Sequence, residues 1–306
     1  MARVLITGAS GLLGLNLAIE AQRAGHAVTG VSGRRKVALD GATMMQADLL
    51  DAAARARMWE AAAPEWVVHC AALADLDACE KNPVLAQALN ADLPGTLAAE
   101  ARASGARFLH ISTDAVFDGE RGDYTEEDAP NPLSRYAETK LAGEGTVAAA
   151  DPAAMVARVN LFGWSLSGQR SLGEFFVNGL REGRALKGFT DVFFCPLLVN
   201  DLAGLLFEMF EKDLHGLYHV LSRDSMSKYA FGVRIARLFG YDPAVIAPIS
   251  LKDAGLATRR SPLLTLKTDK LAAALGHPLP SIDEGLARFH ALYEDGYPAR
   301  LKAAGK

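Results

Sequence analysis

The sequence predicts an α/β fold: a doubly wound, mainly parallel sheet with helices on both faces, joined to a smaller C-terminal domain. Three observations carry this. The chain has 306 residues, of which 50% are hydrophobic and 22% charged, with a mean hydropathy of +0.10; that is globular composition and enough chain for two domains. At 32.5 kDa about three quarters of the unfolded surface can be buried, so the fold needs no covalent staples. Short β-branched and apolar runs alternate with alanine-rich segments of helical length. Strands joined through helices must run parallel, with helices covering both faces of the sheet. This alternation stops at about Gly163, beyond which Pro243, Pro248, Pro262, Pro278 and Pro280 punctuate shorter elements.

Element by element, Arg3 to Thr7 reads as a strand ending at glycine, Leu12 to Ala24 as a helix closed by Gly25, and Ala27 to Val31 as the next strand. Strand-like runs follow at Thr43 to Ala47, Trp66 to Ala71, Arg107 to Ser112 and Met155 to Leu161. Between them, Ala52 to Ala63 and Leu85 to Ala103 carry helical periodicity with charges on one face, so they read as covering helices rather than low-complexity sequence. Val199 to Val220 reads as one further helix and strand of the same sheet. The first domain is therefore expected to span 1–163 and about 196–221, and the second about 164–195 and 222–306, interleaved along the chain.

The charge balance excludes one class of function. With 32 basic and 36 acidic side chains, net −4, there is no electrostatic basis for general nucleic-acid binding, so any phosphate recognition must be local. Cys70, Cys79 and Cys195 are an odd set without paired spacing, which argues against a disulfide framework and a structural zinc site. Cys70 and Cys195 read as buried, inert thiols. The seven histidines show no ligand spacing, so no metal is expected. The longest apolar run, Val192 to Val199, is too short to span a bilayer and contains Pro196. No leader segment is recognisable, and a cytoplasmic location is expected.

Thr7-Gly8-Ala9-Ser10-Gly11-Leu12-Leu13-Gly14 lies between the first strand and the first helix. There Gly8 permits the tight turn, Gly11 lets backbone approach a pyrophosphate, and Gly14 allows close packing of helix on strand. The helix N-terminus adds free N–H groups and partial positive charge, so this Rossmann-type turn reads as a dinucleotide site. Glycines alone also make ordinary turns; their placement between strand and helix distinguishes this one. The second strand ends Val31-Ser32-Gly33-Arg34-Arg35-Lys36, without the acid that would repel a 2′-phosphate. Arginine suits that phosphate, because its planar fork binds it bidentately. NADP is the expected cofactor and NAD the alternative; a solvated basic loop is the purely structural reading. Asp48-Leu49, after the third strand, is placed to border the adenine.

Tyr136 precedes Lys140 by four residues in a helical run that continues through Leu141 to Val147, so the two share a helix face. Among the seven tyrosines only this one has a lysine at that offset. Ile111-Ser112-Thr113-Asp114 ends a strand, and parallel sheets bind ligands at their carboxyl edge. Reducing a ketone by hydride builds alkoxide charge. A phenol can donate to it, and a nearby ammonium would lower the phenol's pKa. Thr113 is then expected to hold the carbonyl oxygen, Tyr136 to act as general acid, and Lys140 to tune it while bonding the nicotinamide ribose.

In this order and spacing, the G-x-x-G-x-x-G turn, Ser112-Thr113 and Tyr136-x-x-x-Lys140 resemble the extended short-chain dehydrogenase/reductase family. Ser112 to Gly119 and Asn131 to Glu144 resemble more closely the branch containing dTDP-4-dehydrorhamnose reductase. Weaker matches at His69 to Glu80, Asp201-Leu202-Ala203 and Leu266 to Leu271 carry the likeness over nearly the whole chain. The resemblance implies an NAD(P)-dependent reductase of a nucleotide-activated 4-keto-6-deoxy sugar, with Thr113, Tyr136 and Lys140 on catalytic positions. It also implies that Gly8, Ser10, Gly11, Leu12, Leu13, Gly14, Arg34, Arg35, Asp48, Leu49, Ala71 and Ala72 border the cofactor. Asp114, Ala115, Asn160 and Leu161 would border the substrate, the smaller domain would be substrate-binding, and the protein would be a homodimer.

The departures lie where the sugar would sit. The branch usually carries tyrosine at the position of Ala115, threonine at that of Ala74, and arginine-threonine-serine-tryptophan where this chain has Arg158-Val159-Asn160-Leu161; the loop Asp191 to Pro196 is also more apolar. A changed pocket implies a changed substrate. Two other readings stand beside the reductase: an NAD-recycling epimerase or dehydratase, and a non-catalytic regulatory subunit like the β subunit of methionine adenosyltransferase, which His69-Cys70-Ala71-Ala72 resembles.

Overall fold

The computed structural model describes residues 1–255 and 261–305; the expected second-domain span 222–306 thus includes 256–260 and 306, outside the described residues. In chain order the elements are β1 (Arg3–Thr7), α1 (Leu12–Arg23), β2 (Ala27–Ser32), β3 (Thr43–Gln46), α2 (Ala52–Ala62), β4 (Trp66–His69), α3 (Leu76–Lys81), α4 (Pro83–Gln87), α5 (Leu93–Ser104), β5 (Arg107–Thr113), α6 (Arg135–Ala150), β6 (Met155–Val159) and β7 (Leu161–Phe162). They continue as α7 (Leu172–Arg181), β8 (Leu186–Phe189), β9 (Phe193–Phe194), β10 (Leu197–Leu198), α8 (Val199–Glu211), β11 (Gly216–His219), β12 (Met226–Ser227), α9 (Lys228–Leu238), β13 (Ile246–Ile249), β14 (Leu263–Leu264), α10 (Asp269–Leu275), α11 (Ile282–Glu294) and α12 (Tyr297–Ala303).

Seven strands form one parallel sheet in the order β11-β6-β5-β4-β1-β2-β3. The order reverses between β1 and β4, and that is the crevice where open α/β sheets bind ligands. Period-two alternation sorts the apolar residues between the two faces. Val4, Ile6, Val28, Val68 and Leu109 pack with α1 and α8, whereas Leu5, Val31, Val67 and Phe108 pack with α2, α5 and Val147 of α6. The expected helix and strand in Val199 to Val220 are α8 and β11, and β11 forms the sheet's edge.

Two expected boundaries differ in ways that shape the site. The single helix expected over Leu85 to Ala103 is interrupted by a wide turn at Ala88–Asp92, because Pro94 lacks the N–H that a continuous helix would use. The strand expected to reach Leu161 stops at Val159; Asn160 turns the chain, and Leu161-Phe162 pairs instead with Leu197-Leu198. Beyond this point short sheets, β12-β9-β14 and β13-β8, surround an aromatic core in which Trp164 stacks on Phe289 at 4.1 Å. Among the described residues, no helix is long and apolar enough to cross a membrane.

Candidate active site

Gly8 has φ +69, and a Cβ there would lie 2.8 Å from the Ala71 nitrogen, so the turn admits only glycine. A Cβ on Gly14 would meet the Gly8 carbonyl oxygen at 2.3 Å. Gly14 was expected to pack helix against strand; it packs the first turn of α1 against the glycine turn itself. Gly11 caps α1 without a side-chain hydrogen bond, and no acid occupies the first helical turn. The N–H groups of Leu12, Leu13 and Gly14 therefore stand at the positive end of the helix without an intrahelical partner. Leu13 buries its side chain in the core, which leaves only its backbone to face a ligand, and Ser10 is half-buried in the same turn. Ala71 and Ala72 follow β4, and the Ala71 N–H donates to Thr7 Oγ1 at 3.2 Å.

Arg34, Arg35 and Lys36 are exposed, and none is ion-paired among the described residues. The loop's backbone, by contrast, is fixed. Gln46 Nε2 donates to the carbonyls of Gly33 and Arg34 at 3.1 and 3.3 Å, Val37 is buried, and Ala38 N–H donates to the Ala304 carbonyl at 2.8 Å. Free cations on a pinned loop, beside a glycine cradle that a Cβ would fill, fit a dinucleotide with a 2′-phosphate. Asp48 is exposed and accepts the Leu50 N–H at 3.0 Å; Leu49 is buried beside it.

Thr113 ends β5. Its hydroxyl accepts the Ala115 N–H at 3.2 Å, which caps the short turn Asp114–Val116, and donates to Asp114 Oδ1 at 3.2 Å. Ser134 caps α6 through the Ala137 N–H, and the first turn of that helix brings Tyr136 beside Thr113. Lys140, one turn further on, is buried; its Nζ donates to the Ile111 carbonyl at 2.6 Å and meets His110 Nε2 at 3.0 Å. Burial pushes the ammonium down to about 8, against the opposing charge of Glu144.

The tyrosine departs from the sequence expectation. Its phenol is pushed up to about 12, first by burial and then by Asp114 and Cys79, with the neighbouring Thr113 acting the other way. Lys140 is not among the groups that act on the phenol; its ammonium is directed onto the Ile111 carbonyl and His110 of β5. Tyr136 is thus held protonated over the neutral range, as a proton donor requires.

Asp114 is almost fully buried; Asn160 Nδ2 donates to its Oδ2 at 2.6 Å. Burial pushes the carboxyl up to about 6, against hydrogen bonds from Asn160 and Thr113 and the charge of Lys228. Asp114 and Asn160 thus hold each other, which is also why β6 ends where it does. Because the folded-state value lies above the unfolded one, the stability linked to this group is present below about pH 4 and lost as pH rises through about 6. Asp114→Asn is expected to flatten that segment of a denaturation-midpoint-against-pH curve; an unchanged slope would count against the assignment. Ala115, which follows Asp114 in the short turn, and Leu161, which follows Asn160 in β7, are half-buried. Cys195 is buried as expected, whereas Cys70, also read as buried, is only half-buried; desolvation pushes both thiols up to about 12, which leaves them protonated.

Several residues that build the site escaped sequence reasoning. Asn90, within the wide turn, accepts the Leu73 N–H at 2.8 Å and donates to the Leu73 carbonyl at 3.0 Å and to Thr139 Oγ1 at 3.2 Å, tying the chain after β4 to the helix that carries Tyr136. The available signal was an amide inside an alanine-rich helix four residues before a proline. Glu144 accepts from Ser112 at 2.5 Å and from Arg158 at 2.9 and 2.7 Å, locking α6, β5 and β6 together beneath the site. Among the described residues, no group of three or more His, Cys, Asp or Glu is arranged to hold a metal ion.

Comparison with known proteins bears on this arrangement. The family model described as RmlD substrate binding domain matches residues 2–294. A dTDP-4-dehydrorhamnose reductase of Mycobacterium tuberculosis is 34% identical over 287 residues, covering 90% of this chain and 88% of that protein. Methionine adenosyltransferase 2 subunit beta of Rattus norvegicus is 34% identical over 266 residues, covering 81% and 75%. The crystal structure of dTDP-4-dehydrorhamnose reductase from Bacillus anthracis in complex with NADP superposes with a TM-score of 0.84 at 26% identity, covering 95% of this chain and 99% of that one. With a family model spanning nearly its whole length and a parallel sheet that reverses at the glycine turn, this chain belongs to the RmlD substrate-binding domain family.

Proposed function

We propose that this chain is an NADPH-dependent reductase of a nucleotide-activated 4-keto-6-deoxy sugar, with Tyr136 as general acid. The observation that carries this reading is the placing of Tyr136, on the first turn of α6, beside Thr113 at the carboxyl end of β5, with Lys140 one helical turn away. When bound, the dihydronicotinamide supplies a hydride. The glycine turn and the N-terminus of α1 bind the pyrophosphate, and Arg34 and Arg35 bind the 2′-phosphate. Thr113 orients the carbonyl oxygen, Tyr136 gives its phenolic proton to that oxygen as negative charge builds on it, and Lys140 offers its remaining donor to the nicotinamide ribose. Residues 1–163 and about 196–221 form the cofactor domain. The remaining segments cover its crevice and select the sugar, with Asp114, Ala115, Asn160 and Leu161 at the boundary.

NADPH oxidation followed against a panel of nucleotide 4-keto sugars, dTDP-4-dehydrorhamnose among them, tests the reading; NADPH binding without turnover on any carbonyl would overturn it. Arg34→Ala with Arg35→Ala is expected to raise the Kd for NADPH by about 10- to 100-fold, in line with losing charge-assisted bonds to one phosphate, while the Kd for NADH stays within about twofold. Equal weakening for both cofactors would place the 2′-phosphate elsewhere. A second reading, a non-catalytic partner subunit, is favoured by the likeness to the methionine adenosyltransferase subunit; stoichiometric co-elution with such an enzyme, without turnover, would select it.

A further inference from the structure

Beneath Lys140 lies a buried polar chain that the proposed mechanism does not use. His110 is fully buried on β5, His69 nearly so on β4, and Lys140 of α6 closes over them. The two imidazoles stack with centroids 5.4 Å apart and planes 24° from parallel. His69 Nδ1 meets Thr7 Oγ1 at 2.7 Å, at the residue preceding Gly8, and His110 Nε2 meets Lys140 Nζ at 3.0 Å. Among the described residues, neither His69 Nε2 nor His110 Nδ1 has a hydrogen-bond partner.

We propose that His110 is the positioning residue for Lys140: its Nε2 accepts one ammonium proton, the Ile111 carbonyl accepts a second, and the third donor is thereby fixed toward the crevice. This rests on the catalytic reading of Tyr136 and Lys140 given above. An ammonium has three donors and no acceptor, so one bond to Ile111 leaves it free to rotate, whereas two bonds to atoms of a rigid strand set its direction. The close approach this needs is provided at Gly143, where a Cβ would lie 2.2 Å from the Asn90 carbonyl oxygen and 3.5 Å from His110 Nε2.

The imidazole is also the right kind of acceptor. For Nε2 to accept, the His110 proton must reside on Nδ1, and that N–H is then buried without a partner, an arrangement that costs stability. A hydrophobic side chain would avoid the cost but could not bond the lysine. The ring is held in place by its stacking on His69, itself bonded to Thr7. Burial and the charge of Lys140 hold His69 down to about 3 and His110 well below the ordinary histidine range. The positive charge therefore stays on the lysine, which faces Glu144 as its counter-charge.

The test begins with the tautomer. Nitrogen-15 NMR of histidine-labelled, NADPH-bound wild-type protein is expected to show His110 neutral and protonated at Nδ1; protonation at Nε2 would overturn the proposal without any substitution. The second readout is the Lys140 titration, followed by carbon-13 labelling at the ε position. His110→Leu is expected to move its midpoint from near 8 to about one unit lower and to weaken NADPH binding about tenfold. His110→Gln, which restores an acceptor, should recover most of both. An unchanged midpoint in the leucine variant, or a glutamine variant no better than leucine with both folded, would reduce His110 to a packing residue. If the leucine variant does not fold, the tautomer decides. Failure here leaves the catalytic reading standing, because that is tested separately at Tyr136.

Discussion

Tyr136→Phe is expected to lower kcat for carbonyl reduction by about 10²- to 10⁴-fold, the range associated with a positioned proton donor, while the Kd for NADPH changes by less than about threefold. The asymmetry follows from where the hydroxyl sits. It lies beside Thr113 at the strand end, whereas the glycine turn and the Arg34-Arg35 loop are built from other elements. Because burial holds the phenol up to about 12, the wild-type enzyme should keep its donor protonated across the neutral range, so a fall in rate on the alkaline side reports Lys140, near 8. The measurement is single-turnover NADPH oxidation at saturating cofactor. A phenylalanine variant retaining more than about a tenth of the wild-type rate would remove Tyr136 from the chemistry.

Glu144→Ala is expected to cost about 3–5 kcal/mol of stability, the loss typical of removing one partner from a buried ion pair. The carboxylate accepts two bonds from Arg158 and one from Ser112, and the side chains of Arg158 and Glu144 are only 3% and 10% exposed. Without Glu144 the guanidinium would be left buried over the Phe117 ring, 5.0 Å from its centroid, with its charge unpaired. The double variant Glu144→Leu with Arg158→Met removes both charges and should lose less than the single variant, since well-packed apolar pairs often replace buried ion pairs at little cost. Denaturant midpoints compare the two directly. A single variant within about 1 kcal/mol of wild type would mean that water or another acceptor reaches Arg158.

What the sequence carried well was everything set by local pattern. The strands and helices of the parallel sheet, the glycine turn and the Tyr136–Lys140 face all follow from periods of 2 and 3.6 and from residues with few conformational alternatives. The wide turn at Asn90 and the end of β6 at Asn160 did not, because both are decided by partners distant in sequence, Leu73 and Thr139 for one and Asp114 for the other.

By itself, then, the amino-acid order determined a doubly wound nucleotide fold and which side chains are available for chemistry. Only the tertiary structure decided their protonation and direction. It raised the Tyr136 phenol where an ammonium was expected to lower it, turned Asp114 inward onto Asn160, and set Lys140 on His110 and the Ile111 carbonyl. The reason is physical: hydrogen bonding and desolvation depend on which groups meet in space, and the groups that meet here come from strands and helices widely separated along the chain.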